Sequence, residues 1–140
     1  MNTRTARKII GRPNKDFFMI YLASPYTHTD PKVRESRFHD ACKVAGRLMQ
    51  KGHRIFSPIA HSHPIALSCG LPTEWGFWKK YDMEFLKLCS QLWIIQLKGW
   101  NESLGISKEI KISRRLEKPI YYVEPVFLKI SKTPHKMVYA

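Results

Sequence analysis

Leu92-Trp93-Ile94-Ile95 runs through Gln96-Leu97-Lys98 into Gly99-Trp100-Asn101-Glu102-Ser103-Leu104-Gly105-Ile106-Ser107-Lys108-Glu109-Ile110. This join decides the fold. The first four residues are apolar, β-branched or aromatic, and read with their neighbours as a buried strand over Leu92 to Leu97. Gly99 suits a tight turn, and Asn101 and Ser103 are helix-start residues. A helix is expected from Glu102 to Glu117, stopped by Lys118-Pro119. A strand, a glycine-containing loop and a helix start bring backbone N–H groups and the positive end of a helix dipole to one spot. Such a spot binds phosphate or keeps a carboxylate ionised. Glu109 falls within the first two turns, so it is the carboxylate to explain.

The same alternation extends in both directions. Phe17 to Ala23, FFMIYLA, is a continuous apolar run and reads as a strand buried on both faces. Ser24 to Thr29 follows as a loop. Asp30-Pro31 marks a helix start, with Asp as the cap and Pro in the first turn. That helix is expected to run to about Lys51, with Phe38, Ala41, Cys42, Ala45, Leu48 and Met49 on its apolar face and Gly52 at its C-terminal cap. His53 to Ser57 reads as a short strand. Ile59 to Pro72 shows no clear period and reads as a long loop or a broken helical turn. Thr73-Glu74 opens a further helix with the stripe Trp78, Tyr81, Phe85 and Leu88, and Ile120 to Val123 is a last strand. After Pro125 the pattern fades. These elements predict an α/β protein: a doubly wound, mainly parallel sheet in a three-layer α/β/α arrangement of the flavodoxin or Rossmann type. Ligands in such sheets sit beyond the C-terminal strand ends. That places Ser24–Thr29, Pro58–His63 and Gly99–Glu109 around one candidate site.

Composition narrows the class. The chain has 140 residues, with 24 Lys and Arg against 11 Asp and Glu, a formal net charge of +13. One domain is expected, residues 16–125, between a basic N-terminal extension (1–15) and a basic C-terminal tail (126–140). The charge favours anionic partners, so nucleic acid bound through the tails is one expectation and solvated, solubilising tails the other. No apolar run approaches the ~18 residues that a membrane helix needs, and no secretory leader is visible at the N-terminus. Cys42, Cys69 and Cys89 are odd in number and widely spaced, which reads as reduced thiols in a cytoplasmic protein rather than a disulfide framework.

Tyr21-Leu-Ala-Ser-Pro-Tyr26 after the first strand, Asp82 on the middle helix, and Ser103-Leu-Gly-Ile-Ser-Lys-Glu109 resemble the nucleoside 2-deoxyribosyltransferase superfamily. They resemble in particular its DUF1937-like bacterial and phage branch, and also the related deoxynucleoside 5'-monophosphate N-glycosidases. The likeness spans roughly Phe17 to Val123. It implies a glutamate nucleophile, matched by Glu109, and an aspartate that protonates or orients near the base and sugar, matched by Asp82. Ser103 matches a phosphate-contacting serine and Tyr26 a first-loop aromatic; Ser24 and Gly105 fall within the same two loops. The resemblance also implies a homo-oligomer, a dimer or larger, and a nucleoside or nucleotide substrate with no metal or organic cofactor. Ser107-Lys108 replaces the Gly-Tyr of the monophosphate hydrolases, and Ser24-Pro25 lacks their first-loop glycine.

Two further side chains are candidates for the ligand. Trp100 stands beside the proposed site as a wall for a base. His61 is a candidate contact for base or phosphate; with His63 it could begin a metal site, but no third ligand stands at a characteristic spacing. No GxxxxGK[ST], GxGxxG or GxSxG occurs, so ATPase-type, dinucleotide-binding and hydrolase-elbow chemistry have no motif here. The alternative to an N-glycosidic-bond enzyme is a non-catalytic nucleotide sensor or basic nucleic-acid-binding protein on the same scaffold.

Overall fold

Ile20–Ala23 forms the strand (β1) around which a computed structural model arranges the chain, and the structure describes residues 17–139. The expected extension, residues 1–15, lies outside the described residues. In chain order the helices are α1 (Pro31–Gln50), α2 (Pro58–Cys69), α3 (Trp75–Leu88) and α4 (Leu104–Arg115). The strands after β1 are β2 (Ile55–Phe56), β3 (Gln91–Ile95), β4 (Ile120–Val123) and β5 (Ile130–Ser131). The sheet order is β2-β1-β3-β4-β5, parallel except for the antiparallel β5. Strand order therefore reverses between β1 and β3, which locates the crevice that such sheets open at their C-terminal edge.

Period-2 alternation divides the core between two faces. Ile20, Leu22, Trp93 and Ile95 pack with Val44, Ala45 and Leu48 of α1 on one side. Tyr21, Ala23, Leu92 and Ile94 pack with Leu86 of α3 and Ile106 of α4 on the other. Both faces of β1 and β3 are covered, which is why their sequences are apolar without interruption.

Asp30 caps α1 by accepting from the Lys32 N–H, with Pro31 in the first turn. At its other end the Gly52 N–H reaches the Met49 carbonyl and the His53 N–H reaches the Leu48 carbonyl. Gly52 takes φ 94° to close this glycine-terminated cap.

Several expectations are corrected. β1 begins at Ile20, not Phe17; its ladder starts where Ile55 and Gln91 supply partners, and Phe17 and Phe18 are exposed. The buried stripe of α1 is Ala41, Val44, Ala45 and Leu48, and Met49 lies one 100° step off it, exposed. The stripe of α3 is also rotated: Trp78 and Leu86 are buried while Tyr81 and Leu88 face solvent. Asp82, four residues after Trp78 and four before Leu86, holds the place where an apolar residue was sought. Residues 58–69 form a true helix, not a loop or a broken turn. Ser57 caps it through the Ala60 N–H, Pro58 enters its first turn, and Gly70 ends it in the left-handed conformation. Pro64 sits inside this helix at the loss of one backbone hydrogen bond.

The segment after Pro125, expected as a tail, supplies β5 and folds back on the sheet end. The buried Gln96 side chain accepts from the His135 N–H (2.8 Å) and donates to the His135 carbonyl (3.0 Å). The Tyr139 hydroxyl donates to the Gln96 carbonyl (2.8 Å). Among the described residues no helix is long and apolar enough to cross a membrane.

Candidate active site

A cleft of about 640 Å³ opens at the crevice between β1 and β3, a size that suits a small organic ligand. All three expected segments reach it: Ser24, Tyr26, Thr27 and His28; Pro58, Ile59 and Ser62; and Gly99 with Glu102 to Gly105 and Glu109. A fourth wall comes from the start of α3, with Trp75, Trp78 and Asp82.

Glu109 lies on the second turn of α4 and is 5% exposed. Helical side chains lean toward the N-terminus of their own helix, and Glu109 does so here. A methyl group added at Gly105 would stand 4.0 Å from a Glu109 carboxyl oxygen and 3.5 Å from the Trp75 ring. Glycine at 105 therefore leaves room between that ring and the carboxyl. The expectation that the helix start keeps Glu109 ionised is overturned. Burial is the largest influence and pushes its pKa up to about 8, a neighbouring Tyr21 hydroxyl pulls it down, and the charge of Asp82 raises it further. Removing a carboxylate from water outweighs a partial dipole charge one turn away. The Tyr21 hydroxyl is buried beside Glu109 but meets no partner at full hydrogen-bond geometry, so the two face each other without closing the bond. Asp82 comes from α3 into the same end of the cleft, and burial raises its pKa to about 7. The two carboxyls thus share one pocket, with no cation paired to either among the described residues.

Ser103 caps α4, its hydroxyl oxygen accepting from the Ile106 N–H at 3.3 Å. Its proton remains free to be donated into the cleft. Ser24 is 7% exposed and its hydroxyl has no partner. Tyr26 lines the cleft and joins its hydroxyl to His63 Nδ1 at 2.5 Å.

Two sequence candidates lie elsewhere. Trp100 sits in a short 3-10 turn, Trp100–Glu102, and packs into the core edge-on to Tyr122, with ring centres 5.6 Å apart. His61 is exposed on α2 near Phe56 and Phe85, and lines no part of the cleft. The histidine that reaches inward is His63: on a helix, residues two apart face away from each other, so only one of the pair can point to the core. Lys108 faces solvent.

Arg37 was also missed. Its guanidinium donates to the Tyr26 carbonyl (3.4 Å), the Thr27 carbonyl (3.0 Å) and the Lys98 carbonyl (3.4 Å), tying the two main loops together. A side chain at Gly99, already at φ 90°, would come within 2.7 Å of it. A long cation on an exposed-looking helix gives no sequence signal of such bracing. Among the described residues no group of three or more His, Cys, Asp and Glu side chains gathers to hold a metal ion.

Chemically, the floor of the cleft offers two carboxyls with elevated pKa values, an unsatisfied hydroxyl at Tyr21 and free donors at Ser24 and Ser103. Such a set can attack, protonate and orient around one electrophilic carbon.

Comparison with known proteins agrees with this architecture. A family model described as a domain of unknown function, DUF1937, matches residues 18–124. The chain is structurally similar to a 2-deoxyribosyltransferase from the psychrotolerant bacterium Bacillus psychrosaccharolyticus, at 26% sequence identity and a TM-score of 0.53. The likeness covers 76% of this chain and 72% of that one. No curated protein sequence matches the chain.

Proposed function

The chain belongs to the DUF1937 family, within the nucleoside 2-deoxyribosyltransferase-like superfamily, and from that premise we propose that it cleaves or transfers the N-glycosidic bond of a nucleoside or nucleoside 5'-monophosphate. The observation that carries this reading is the pair Glu109 and Asp82, a buried and a half-buried carboxyl from different helices lining one nucleoside-sized cleft.

In this reading a Glu109 oxygen attacks the anomeric carbon. The C–N bond breaks, its electron pair leaves with the base, and Asp82 supplies the proton that the base takes up. A glycosyl ester on Glu109 remains. Water, or a second base, attacks the same carbon and frees the carboxylate. This is the logic of retaining glycosidases, with a carboxylate nucleophile and an oxocarbenium-like transition state. Tyr21 then serves Glu109: its hydroxyl stabilises the ionised form and lets go when the ester forms. Ser24, Ser103 and the α4 start hold sugar hydroxyls or phosphate, Gly105 leaves room for the approach, and Tyr26 flanks the base.

The pKa values set a constraint on this scheme. Attack needs Glu109 ionised and Asp82 protonated, and burial raises both carboxyls, to about 8 and about 7. The two titrate as a coupled pair, and the reactive arrangement is the singly protonated one with its proton on Asp82. The test is incubation with a panel of nucleosides and 5'-monophosphates, with free base read by chromatography. Base release by the parent that disappears in Glu109→Ala supports the reading. Silence across the panel, or equal release by Glu109→Ala, removes it.

A second reading is favoured by one observation. Lys108, Lys111, Arg114 and Arg115 are exposed along α4, whose one acid, Glu109, is buried, on a chain of net charge +13. That face suits the phosphate backbone of a nucleic acid, and binding would weaken steeply with salt. Reversing these four charges distinguishes the readings: nucleic-acid binding would vanish while base release would stay. Deleting residues 126–140 would not, because His135 and Tyr139 are bonded into the sheet end.

A further inference from the structure

Tyr26 is attached to more than its loop. Its hydroxyl meets His63 Nδ1 at 2.5 Å, and His63 Nε2 meets a Glu35 oxygen at 2.7 Å. The other Glu35 oxygen lies 3.1 Å from His39 Nε2. His63 is 2% exposed and stacks on Phe38, ring centres 4.4 Å apart and 27° from parallel. The chain of contacts runs from solvent at His39 and Glu35 on α1, through the buried His63 on α2, to Tyr26 on the wall of the cleft. Three separate elements are joined by it, and a structural core contact would not need this chemistry: an apolar residue at 63 would fill the same space beside Phe38.

We propose that Glu35 and His63 are a positioning pair that fixes Tyr26 as a wall of the cleft and so sets how tightly a nucleoside is held there. The proposal rests on the reading of the cleft as a nucleoside site.

The donor and acceptor roles follow in order. The hydrogen bond from His63 holds the Glu35 pKa below the usual carboxylate range, and an ionised carboxylate can only accept. His63 Nε2 therefore carries a hydrogen. In the neutral ring Nδ1 is then an acceptor, and the Tyr26 O–H donates to it. Burial raises the Tyr26 pKa, so the phenol stays neutral. The single proton of Tyr26 is thus committed inward, and what remains for the cleft is its ring. A phosphate would find no donor at the Tyr26 hydroxyl; a planar base would find an aromatic ring whose tilt is fixed. Pre-setting that face lowers the ordering cost of binding.

The experiment uses calorimetric titration of the full chain carrying Glu109→Gln, which binds without turnover, with deoxyguanosine and deoxycytidine as probes. Adding Tyr26→Phe or His63→Ala is expected to raise Kd about tenfold, the loss of one buried hydrogen bond. Adding His63→Gln, whose amide can accept from Tyr26 and donate to Glu35, is expected to restore affinity to within about threefold, which a purely structural role would not require. Ring ¹⁵N shifts of His63 in the free protein are expected to show a protonated Nε2 and a bare Nδ1; the reverse tautomer would overturn the proposal. A parent that binds neither probe overturns the nucleoside reading and this proposal with it. A parent that binds, with Tyr26→Phe and His63→Ala binding equally well, overturns the proposal alone.

Discussion

The two sides of the cleft are held in opposite ways. On the side of α1, α2 and the loop after β1, most polar groups have a partner, the Ser24 hydroxyl excepted. Arg34 donates to the His28 and Thr29 carbonyls, Arg37 to three more, and Tyr26, His63 and Glu35 form a closed chain. On the side of α3 and α4, the buried Glu109 and half-buried Asp82 have no paired cation among the described residues, and the Tyr21 and Ser113 hydroxyls have no partner among them. Buried polar groups are ordinarily satisfied, and each orphan costs stability. The first side is closed largely by its own hydrogen bonds; the second keeps buried polar groups without partners among the described residues.

The sharpest way to break this contrast is Glu109→Gln. In the proposed mechanism turnover falls by at least about 10³-fold, because an amide cannot form the glycosyl ester. Initial rates of base release check it, and a variant within tenfold of the parent would remove Glu109 as nucleophile.

The same variant should gain stability, and the sign depends on pH. The Glu109 carboxyl has a folded pKa of about 8 against an ordinary 4.5. The folded state thus binds the proton more tightly. Its contribution is fully present below the ordinary value and is lost as pH rises through about 8. The parent should lose on the order of a few kcal/mol between pH 4.5 and pH 9 from this group. Glu109→Gln, with nothing to ionise, should not. Urea midpoints at pH 5 and pH 9 measure the difference, and equal slopes for the two proteins would show that the carboxyl is solvated after all. Activity should follow a bell-shaped pH profile, because the scheme needs one carboxyl ionised and the other protonated, and burial raises both.

On the satisfied side the expected effect of untying a loop is on stability. Arg37→Ala strands three carbonyls and unties the loop after β1 from the loop after β3, for about 1–3 kcal/mol. Thermal melting reads it, and a change under about 0.5 kcal/mol would mean that the carbonyls turn to water instead.

What could be read from the sequence was local. Asp30-Pro31, Gly52 and the β-branched runs of β3 and β4 carry their signals within a few residues, and the strand–helix alternation was enough to place three loops around one crevice. The misses were set by contacts distant in sequence. The helix Pro58–Cys69 was hidden by Pro64, although Ser57-Pro58 repeats the cap-and-proline start of α1. Trp100 was assigned to the cleft by proximity in sequence, but its 3-10 turn swings the ring onto Tyr122. Asp82 displaced the apparent stripe of α3 because an acid in a buried row looks like an interruption. The burial that makes Glu109 unusual is supplied by α3 and β1, and nothing within its own helix announces it.

The smallest effect offers the finest comparison. Ser57 and Ser103 cap α2 and α4 by the same bond, a hydroxyl oxygen accepting from the N–H three residues on, at 3.2 and 3.3 Å. Replacing either by Ala should cost about 1 kcal/mol of stability, the usual value of a cap. If both served only as caps, the two variants would be alike in every measurement. Only Ser103 lines the cleft, with its proton unspent. Ser103→Ala should therefore also weaken a nucleoside 5'-monophosphate relative to the parent nucleoside, whereas Ser57→Ala should shift both ligands together. Equal behaviour of the two variants toward both ligands would make Ser103 a cap and nothing more, and would move the phosphate, if there is one, to another part of the cleft.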